Sequence, residues 1–191
     1  MSRNKIIQAA EEVFSEHGFH RSSMDEIALR ANVAKGTLYY HFKSKSELFK
    51  TIVAEGLQEL MDRVQADIYA DLPFSEQVMR IIRHNLDIFL ESSGFAHIVF
   101  NELSNGLDQD VLEEVRKMRL EYIHFVADGL EQSQRAGGMR EGNCRLAATA
   151  LIGMIDNGCR YYMSHQDEVT REELEQFLYT TMTTGIFLTK G

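Results

Sequence analysis

The spacing of apolar residues constrains the fold of this chain most, because it is helical along almost the whole length. Side chains such as Ile6, Ala10 and Val13 recur every three or four residues, as on one face of an α-helix. No alternation of apolar and polar residues persists long enough to predict a β-strand. The only proline, a residue that interrupts helices, is Pro73. The pattern therefore predicts an all-α protein of about nine helices.

Capping signals and turn residues set the expected helix boundaries. The first helix should end at Gly18, and the second should begin at the capping box Ser23–Glu26. Asn32, which tolerates positive φ, then allows a sharp turn into a third helix over about 35–42. A second capping box, Ser44–Glu47, opens a long fourth helix that runs to about residue 70. Further helices are predicted over about 73–91, 94–104, 109–135, 143–164 and 170–188.

Charge is distributed unevenly along the 191 residues, which carry a formal net charge of −9. This net charge argues against a protein that coats nucleic acid by bulk attraction. Residues 1–50 nevertheless contain eight Lys or Arg and six Asp or Glu, whereas residues 51–191 contain twelve and twenty-three. We therefore expect that any contact with a polyanion is local and involves the first fifty residues.

Two features indicate the cellular compartment. The longest apolar run, at residues 150–155, is much shorter than the roughly 20 residues of a membrane span, and no secretory signal follows Met1. Cys144 and Cys159 lie fifteen positions apart in one predicted helix, a separation of about 22 Å that prevents a disulfide between them. We expect a cytoplasmic protein without membrane contact, with buried, reduced thiols and no metal site or cofactor.

The third predicted helix has an unusual outward face. Leu38 and Phe42 fall on one side and should be buried, which leaves Gly36, Thr37 and Tyr40 outward. An exposed aromatic residue beside a glycine is unfavourable for a helix without a partner, so close approach by another surface is expected. A short helix, a tight turn and a second helix form the helix-turn-helix arrangement, in which the second helix enters the major groove of DNA.

Side chains suited to DNA surround this helix. Potential phosphate donors are Ser23, Lys35, Tyr40, His41 and Lys45. Thr37 and Tyr39 are better placed for base edges or thymine methyl groups. Considered singly, each of these residues could instead be an ordinary packing or surface residue. Their ordered combination favours a DNA interface.

The segment from Ser22 to Phe49, SSMDEIALRANVAKGTLYYHFKSKSELF, resembles the DNA-binding signature of the TetR family of bacterial transcriptional regulators. The resemblance covers roughly residues 3–50 and implies a three-helix DNA-binding domain over 1–47, joined to a helical effector-binding and dimerisation domain over 48–191. Asn32 departs from the glycine that the family often has there. By position, the resemblance places at the DNA the residues Ser23, Lys35, Tyr39, Tyr40, His41 and Lys45, with Gly36 and Thr37 at the tip of the recognition helix.

The last two predicted helices carry stripes that include small residues. Two such helices from each of two subunits could form the four-helix interface of a homodimer, which is also how the family commonly dimerises. The alternative is that they form the core of a single chain. The candidate interface residues are Ala147, Ala150, Leu151, Met154 and Gly158 on one helix, and Phe177, Leu178, Thr181, Met182 and Gly185 on the other.

The middle helices mix aromatic and polar residues in a way that could line a small-molecule pocket. Plain core packing is the alternative for the aromatic residues, and the chemistry of any effector stays open. The candidate effector-binding residues are Phe89, His97, Phe100, Asn101, Tyr122, Phe125, Asn157 and Arg160.

Together these patterns predict a ligand-responsive regulator, and they favour a repressor. We expect it to bind, as a homodimer, a double-stranded DNA operator with inverted-repeat symmetry. No catalytic residue is predicted, since the chain has no GxSxG elbow, phosphate-binding glycine loop or HExxH pair. Two alternatives differ in class. One is a helical enzyme or small-molecule carrier whose N-terminal part serves only assembly, and the other is an activator or a non-specific architectural DNA-binding protein.

Overall fold

The computed structural model describes residues 2–68, 72–91 and 107–185, and the structural statements below concern these residues. They form eight α-helices and no β-strand, which confirms the predicted all-α class. The predicted helix at about 94–104 lies outside the described residues. The eight helices are α1 (Ser2–Arg21), α2 (Met24–Arg30), α3 (Lys35–His41), α4 (Lys45–Ile68), α5 (Phe74–Glu91), α6 (Gln109–Arg135), α7 (Cys144–Ser164) and α8 (Arg171–Gly185).

Side-chain caps explain where several helices begin. The Oγ atoms of Ser23 and Ser44 accept hydrogen bonds from the backbone N–H groups of Glu26 and Glu47, at 3.2 and 3.1 Å, as the capping boxes predict. The reciprocal bonds differ, because the Glu26 carboxylate lies 3.1 Å from the Nε2 atom of His17 and Glu47 accepts from the Lys43 N–H. The cap of α8 is reciprocal, since Thr170 and Glu173 each accept from the other's backbone N–H.

A kink at Gly18 divides α1 into two helical segments. The φ of 77° and ψ of 164° at Gly18 lie outside the helical region. The positive φ expected for this glycine and the helix end predicted there are therefore confirmed, and a short second helical segment follows as far as Arg21. The kink matters for packing because Phe19, immediately after it, is only 2% exposed.

The chain divides into two compact units, Met1–Gln58 with Glu91–Met118 and Glu59–Leu90 with Arg119–Gly191. In the first unit, Phe14, Phe19 and Phe49 form a buried cluster with ring centroids 5.0–5.8 Å apart, around which Leu38 and Ile27 are also buried. This packing fixes α1, α2 and α3 against the start of α4. The predicted functional boundary after residue 47 stays a prediction.

The second unit contains charged groups inside its core. Arg119 on α6 forms an ion pair with Asp156 on α7, and burial raises the pKa of Asp156 although Arg119 lowers it. On α8, Arg171 pairs with Asp87 and with the buried Glu175. These pairs connect helices that also surround a cavity, described below.

Two remaining expectations concern membranes and thiols. Among the described residues, no helix combines the length and the apolar character that crossing a membrane requires. Cys144 and Cys159 are both buried free thiols on α7, as predicted. Desolvation raises the pKa of the Cys159 thiol to about 12. The thiol of Cys159 is therefore fully protonated at neutral pH.

Candidate DNA interface and effector cavity

The turn between α2 and α3 orients the third helix. Asn32 has a φ of 52° and is the one non-glycine residue with positive φ among the described residues. The backbone N–H groups of Asn32 and Val33 donate to the carbonyl oxygens of Leu29 and Ala28, both at 3.0 Å. The prediction of a sharp, asparagine-containing turn is confirmed. It brings α3 into contact with both α1 and α2.

One face of α3 is buried and the opposite face is open. Leu38 is fully buried and Phe42 is 3% exposed, whereas Tyr40 is 77% exposed. Tyr39 is exposed at the edge of the same surface. At Gly36, no atom lies within 4 Å of the position that a β-carbon would occupy, so packing within the chain does not require glycine there. The surface of Gly36, Thr37 and Tyr40 is therefore available to a partner.

Several of the predicted DNA contacts have partners inside the chain. The Nζ atom of Lys35 lies 2.7 Å from the Asp25 carboxylate, which raises the pKa of Lys35, and both side chains are exposed. The Nε2 atom of His41 is 2.8 Å from the Oγ atom of Ser2. A phosphate could replace the exposed contact between Lys35 and Asp25 at little cost, because exposed ion pairs contribute little to stability.

Lys45 is held differently. Its half-buried ammonium group donates to the carbonyl oxygens of Phe19, His20 and Ser22, with donor–acceptor distances of 2.5, 3.3 and 2.8 Å. An ammonium group has three N–H donors, so these bonds use all of them. The Nζ atom also lies 4.5 Å from the centre of the Phe19 ring. The structure therefore gives Lys45 the role of capping the end of α1, which the sequence reasoning missed.

We predict that Lys45→Met lowers the free energy of unfolding by about 1–3 kcal/mol, because it leaves carbonyl groups near buried Phe19 and Ser22 without a partner. Chemical denaturation measures this loss. Lys43→Met is the matched control, since the Lys43 ammonium also donates to carbonyl groups but is exposed. If Lys45 instead contacts phosphate, its loss will reduce the salt dependence of DNA binding by about one ion per contact and leave stability unchanged.

The second unit contains a cavity of about 700 Å³, a volume typical of small-molecule sites. Its wall comes from α4, α5, α6, α7 and α8 together with Ala136 and Gly138, and most of its surface is apolar. Among the described residues that line it, none is Asp, Glu, Lys, Arg or His. A charged group would lose its hydration there without gaining a counter-ion, so the cavity suits an uncharged, apolar ligand segment.

The polar residues of the described wall are Ser75, Gln77, Asn85, Tyr122, Gln132, Ser133, Tyr179 and Thr183. Asn85 and Tyr122 are buried, and the Tyr122 hydroxyl donates to the Oδ1 atom of Asn85 at 3.0 Å. Burial raises the pKa of Tyr122, so this hydroxyl stays protonated. Ser75 on α5 and Gln132 on α6 are exposed lining residues, and each lies ten positions along its helix from the member of this pair on the same helix. Ten residues of helix extend about 15 Å, so the cavity is elongated.

The structure brings one of the eight predicted effector residues, Tyr122, to the cavity wall. Phe89 is buried and Phe125 half-buried, but neither belongs to the described wall. Asn157 is exposed and its amide donates to the Gly153 carbonyl at 2.7 Å, and Arg160 is also exposed. His97, Phe100 and Asn101 lie outside the described residues. Asn85 was missed, although a polar residue within the apolar stripe of α5 is a signal that could have identified it.

The candidate dimer residues divide between the interior and the surface of the protomer. Leu151, Leu178 and Met182 are buried, and Leu151 and Met182 line the cavity. A β-carbon at Gly158 would lie 3.0 Å from Leu174, so this glycine allows α7 and α8 of one chain to approach closely. Ala150 and Phe177 are exposed, Ala147, Met154 and Thr181 are intermediate, and Gly185 is the last residue of α8.

Surface exposure adds two residues that the sequence reasoning did not select. Leu146 and Tyr161 on α7 are 70% and 51% exposed, and Phe177 on α8 is 63% exposed. Residues 146, 150, 157 and 161 follow helical spacing, so they share one face of α7. We call Leu146, Ala150, Tyr161 and Phe177 the apolar surface of α7 and α8.

Comparisons with known proteins agree with this geometry. Residues 6–52 match the family model described as bacterial regulatory proteins of the tetR family, and residues 71–185 match that of a tetracyclin repressor-like C-terminal domain. The fatty acid metabolism regulator protein of Bacillus subtilis (strain 168) is 24% identical over 183 residues, which cover 95% of this chain and 94% of that protein.

Two solved structures share the fold. The fatty acid degradation regulator FadR from Bacillus halodurans has a TM-score of 0.87 and 19% identity, over 96% of this chain and 95% of that one. FadR from Bacillus subtilis in complex with stearoyl-CoA has a TM-score of 0.84 and 23% identity, over 95% and 98% of the two chains. The family models and the relatives agree with the helix-turn-helix and the cavity: this chain belongs to the TetR family and is a ligand-responsive transcriptional regulator, not an enzyme.

Proposed function

We propose that this regulator is a homodimeric repressor that acts in the cytoplasm and is released from its operator by a fatty acyl-CoA. The uncharged, elongated cavity carries the proposal, because its aliphatic wall suits a long hydrocarbon chain and excludes a charged group. Two relatives support the effector class by what their own names state, namely fatty acid metabolism and a complex with stearoyl-CoA.

The anionic part of such an effector needs a place outside the cavity. A separate polar groove of about 400 Å³ is lined by Gln134, Arg135 and Arg145 and by Glu131, which forms an ion pair with Arg135, and Gln134 directly follows the cavity residue Ser133 on α6. The guanidinium groups suit phosphates. We propose that the acyl chain occupies the cavity while the phosphates of the coenzyme lie at this groove.

The DNA side of the proposal depends on α3. Gly36, Thr37 and Tyr39 would face base edges, whereas Tyr40, Lys35, His41 and Ser23 would contact phosphates, with Lys45 holding the domain together from inside. A single helix-turn-helix covers few base pairs. Two copies held about 34–36 Å apart read successive major grooves, which implies an inverted-repeat operator.

We propose that the apolar surface of α7 and α8 pairs with its copy in a second subunit. Homodimer interfaces are typically formed by exposed apolar side chains of this kind on a regular helical face. Members of the family act as dimers, and a two-fold axis through these helices would present the same residues from both chains. The buried members of the predicted stripe, such as Leu178, support the surface from beneath.

Release of the regulator from its operator would depend on two helices whose residues are divided between the two units. Helix α4 contributes residues 45–58 to the first unit and Val64 and Ile68 to the cavity wall, and α6 contributes its first residues to the first unit and Tyr122 to the wall. An effector that favours one arrangement of these helices would thereby change the position of α3. Tight binding alone has no effect unless the two arrangements differ in affinity.

A titration with palmitoyl-CoA tests this coupling. We expect the operator-bound protein to bind palmitoyl-CoA about 5- to 150-fold more weakly than the free protein, the range of a typical coupling free energy, because linkage is reciprocal. Coenzyme A without an acyl chain is the control and should not dissociate the operator. Equal affinity in the two states would refute the release mechanism, and tighter binding to the operator complex would identify an activator.

A further inference from the structure

We infer that Asn85 and Tyr122 form the floor of the cavity and set the greatest length of acyl chain that the effector can have. This inference rests on the proposed acyl-CoA effector and assigns its chain-length specificity to two residues. The pair marks the limit of the wall on both helices, because Asn85 is the last lining residue of α5 and Tyr122 is the first of α6, and both side chains are buried. Along α5 and α6, the exposed lining residues lie about 15 Å or more away from it.

The wall between the floor and the exposed residues is built for hydrocarbon. Val78, Ile81 and Ile82 line it from α5, and Val126 and Leu130 line it from α6. Each methylene that enters this part leaves water and gains about 0.8 kcal/mol, which corresponds to about a fourfold increase in affinity. Affinity should therefore increase with chain length until the terminal methyl group reaches the floor.

The floor is fixed in place by hydrogen bonds. The Tyr122 hydroxyl donates to Asn85, and the Asn85 amide in turn donates to the Ile81 carbonyl at 2.8 Å. To pass this point, a chain must break the bond between α5 and α6 and leave a buried hydroxyl without a partner. Such a barrier is specific for length, because shorter chains never meet it.

A second obstacle lies close behind the floor. The ion pair of Arg119 and Asp156 is near enough to Tyr122 for both charges to act on the pKa of its hydroxyl, in opposite directions. Arg119 is three residues before Tyr122 on α6, which places it one helical turn away. Hydrocarbon packed against this pair would desolvate its charges, so removing the Tyr122 ring should lengthen the cavity by only a short distance.

The experiment measures the affinity of the intact protein for octanoyl-, decanoyl-, lauroyl-, myristoyl-, palmitoyl-, stearoyl- and arachidoyl-CoA. The wild-type protein should show increasing affinity up to one chain length and a decrease beyond it. In Tyr122→Ala the greatest length should move one step up the series. The first chain beyond the wild-type limit should then bind roughly 15-fold more tightly than it binds the wild type, the gain from two methylenes.

Two further variants make the result specific. Asn85→Ala removes the other half of the floor, should shift the limit in the same direction, and replaces Tyr122→Ala if that protein does not fold. Leu120→Ala is the control, because Leu120 is 51% exposed on the same helix and outside the cavity wall, so its length limit should equal that of the wild type.

The outcomes separate this inference from the proposed function. An unchanged length limit in both floor variants, or an equal loss of affinity for every chain, would show that the pair has only a structural role and would overturn the inference. The acyl-CoA effector would then still stand. If the wild-type protein binds no member of the series, both the proposed effector and the length limit are refuted.

Discussion

Inserting about five base pairs between the operator half-sites should abolish specific binding, with a loss of affinity of about a thousandfold or more. Five base pairs are half a helical turn, so the second half-site moves to the opposite face of the duplex. A dimer joined through the apolar surface of α7 and α8 could then dock only one α3 at a time. What remains is binding close to the non-specific level, which is typically weaker by at least that factor.

The measurement is a gel-shift or anisotropy titration on an operator selected from random DNA with the purified protein. A control duplex carries substitutions, without insertion, at the same central positions and should retain its affinity if no side chain reads them. If the affinity for the duplex with the insertion is unchanged, the two reading helices are not held at a fixed separation. The homodimer proposal would then be wrong.

The Tyr40→Ala variant should lose DNA binding without losing stability. Tyr40 is 77% exposed, so its truncation removes little buried area from the folded chain. If the phenol contacts a phosphate at each half-site, the loss is about 1–3 kcal/mol per half-site and occurs twice in a dimer. The two losses together are about 2–6 kcal/mol, so the expected affinity is lower by a factor of about 30 to 25,000.

Leu29→Ala is the matched control for this variant. Leu29 is 83% exposed and lies on α2 of the same compact unit, outside the proposed contacts, so its replacement should change neither affinity nor the melting temperature. Anisotropy titrations and thermal denaturation of both variants decide the question. Operator affinity equal to that of the wild type in Tyr40→Ala would show that Tyr40 makes no contact with the operator.

The helices of this protein could be predicted from the sequence because their signals are local. The hydroxyl groups of Ser23 and Ser44 each cap a backbone N–H only three positions later in the chain. The positive φ of Asn32 is a property of that residue alone. The burial of Leu38 follows from helical spacing once the helix is placed. Local chemistry of this kind also made the exposed face of α3 recognisable.

The roles of Lys45 and Asn85 could not be predicted because their partners are distant in the sequence. Lys45 donates to carbonyl groups 23 to 26 positions earlier, and Asn85 accepts from a hydroxyl 37 positions later. A lysine beside a DNA-binding helix looks the same in the sequence whether its ammonium meets phosphate or a helix end. Only the folded packing distinguishes these two roles.

The apolar stripes of α7 and α8 show a related ambiguity. Helical spacing places Leu151 on the apolar face of α7, and Leu178 and Met182 on that of α8. It does not show whether these faces pack within the chain or against a second subunit. In the structure they face their own chain, whereas Phe177, one position before Leu178, is exposed. A helix that contributes both to a cavity and to an outer surface carries two stripes of apolar residues. Helical spacing alone does not distinguish these two stripes.

The state of the two cysteines has a consequence for the signals that this regulator can report. Oxidants and electrophiles attack the thiolate, and the buried Cys159, with its pKa raised to about 12, supplies almost none at neutral pH. Cys144 is also shielded from solvent. Peroxide and alkylating agents should therefore react slowly with both thiols, so we expect the cysteines not to act as a redox switch in this regulator.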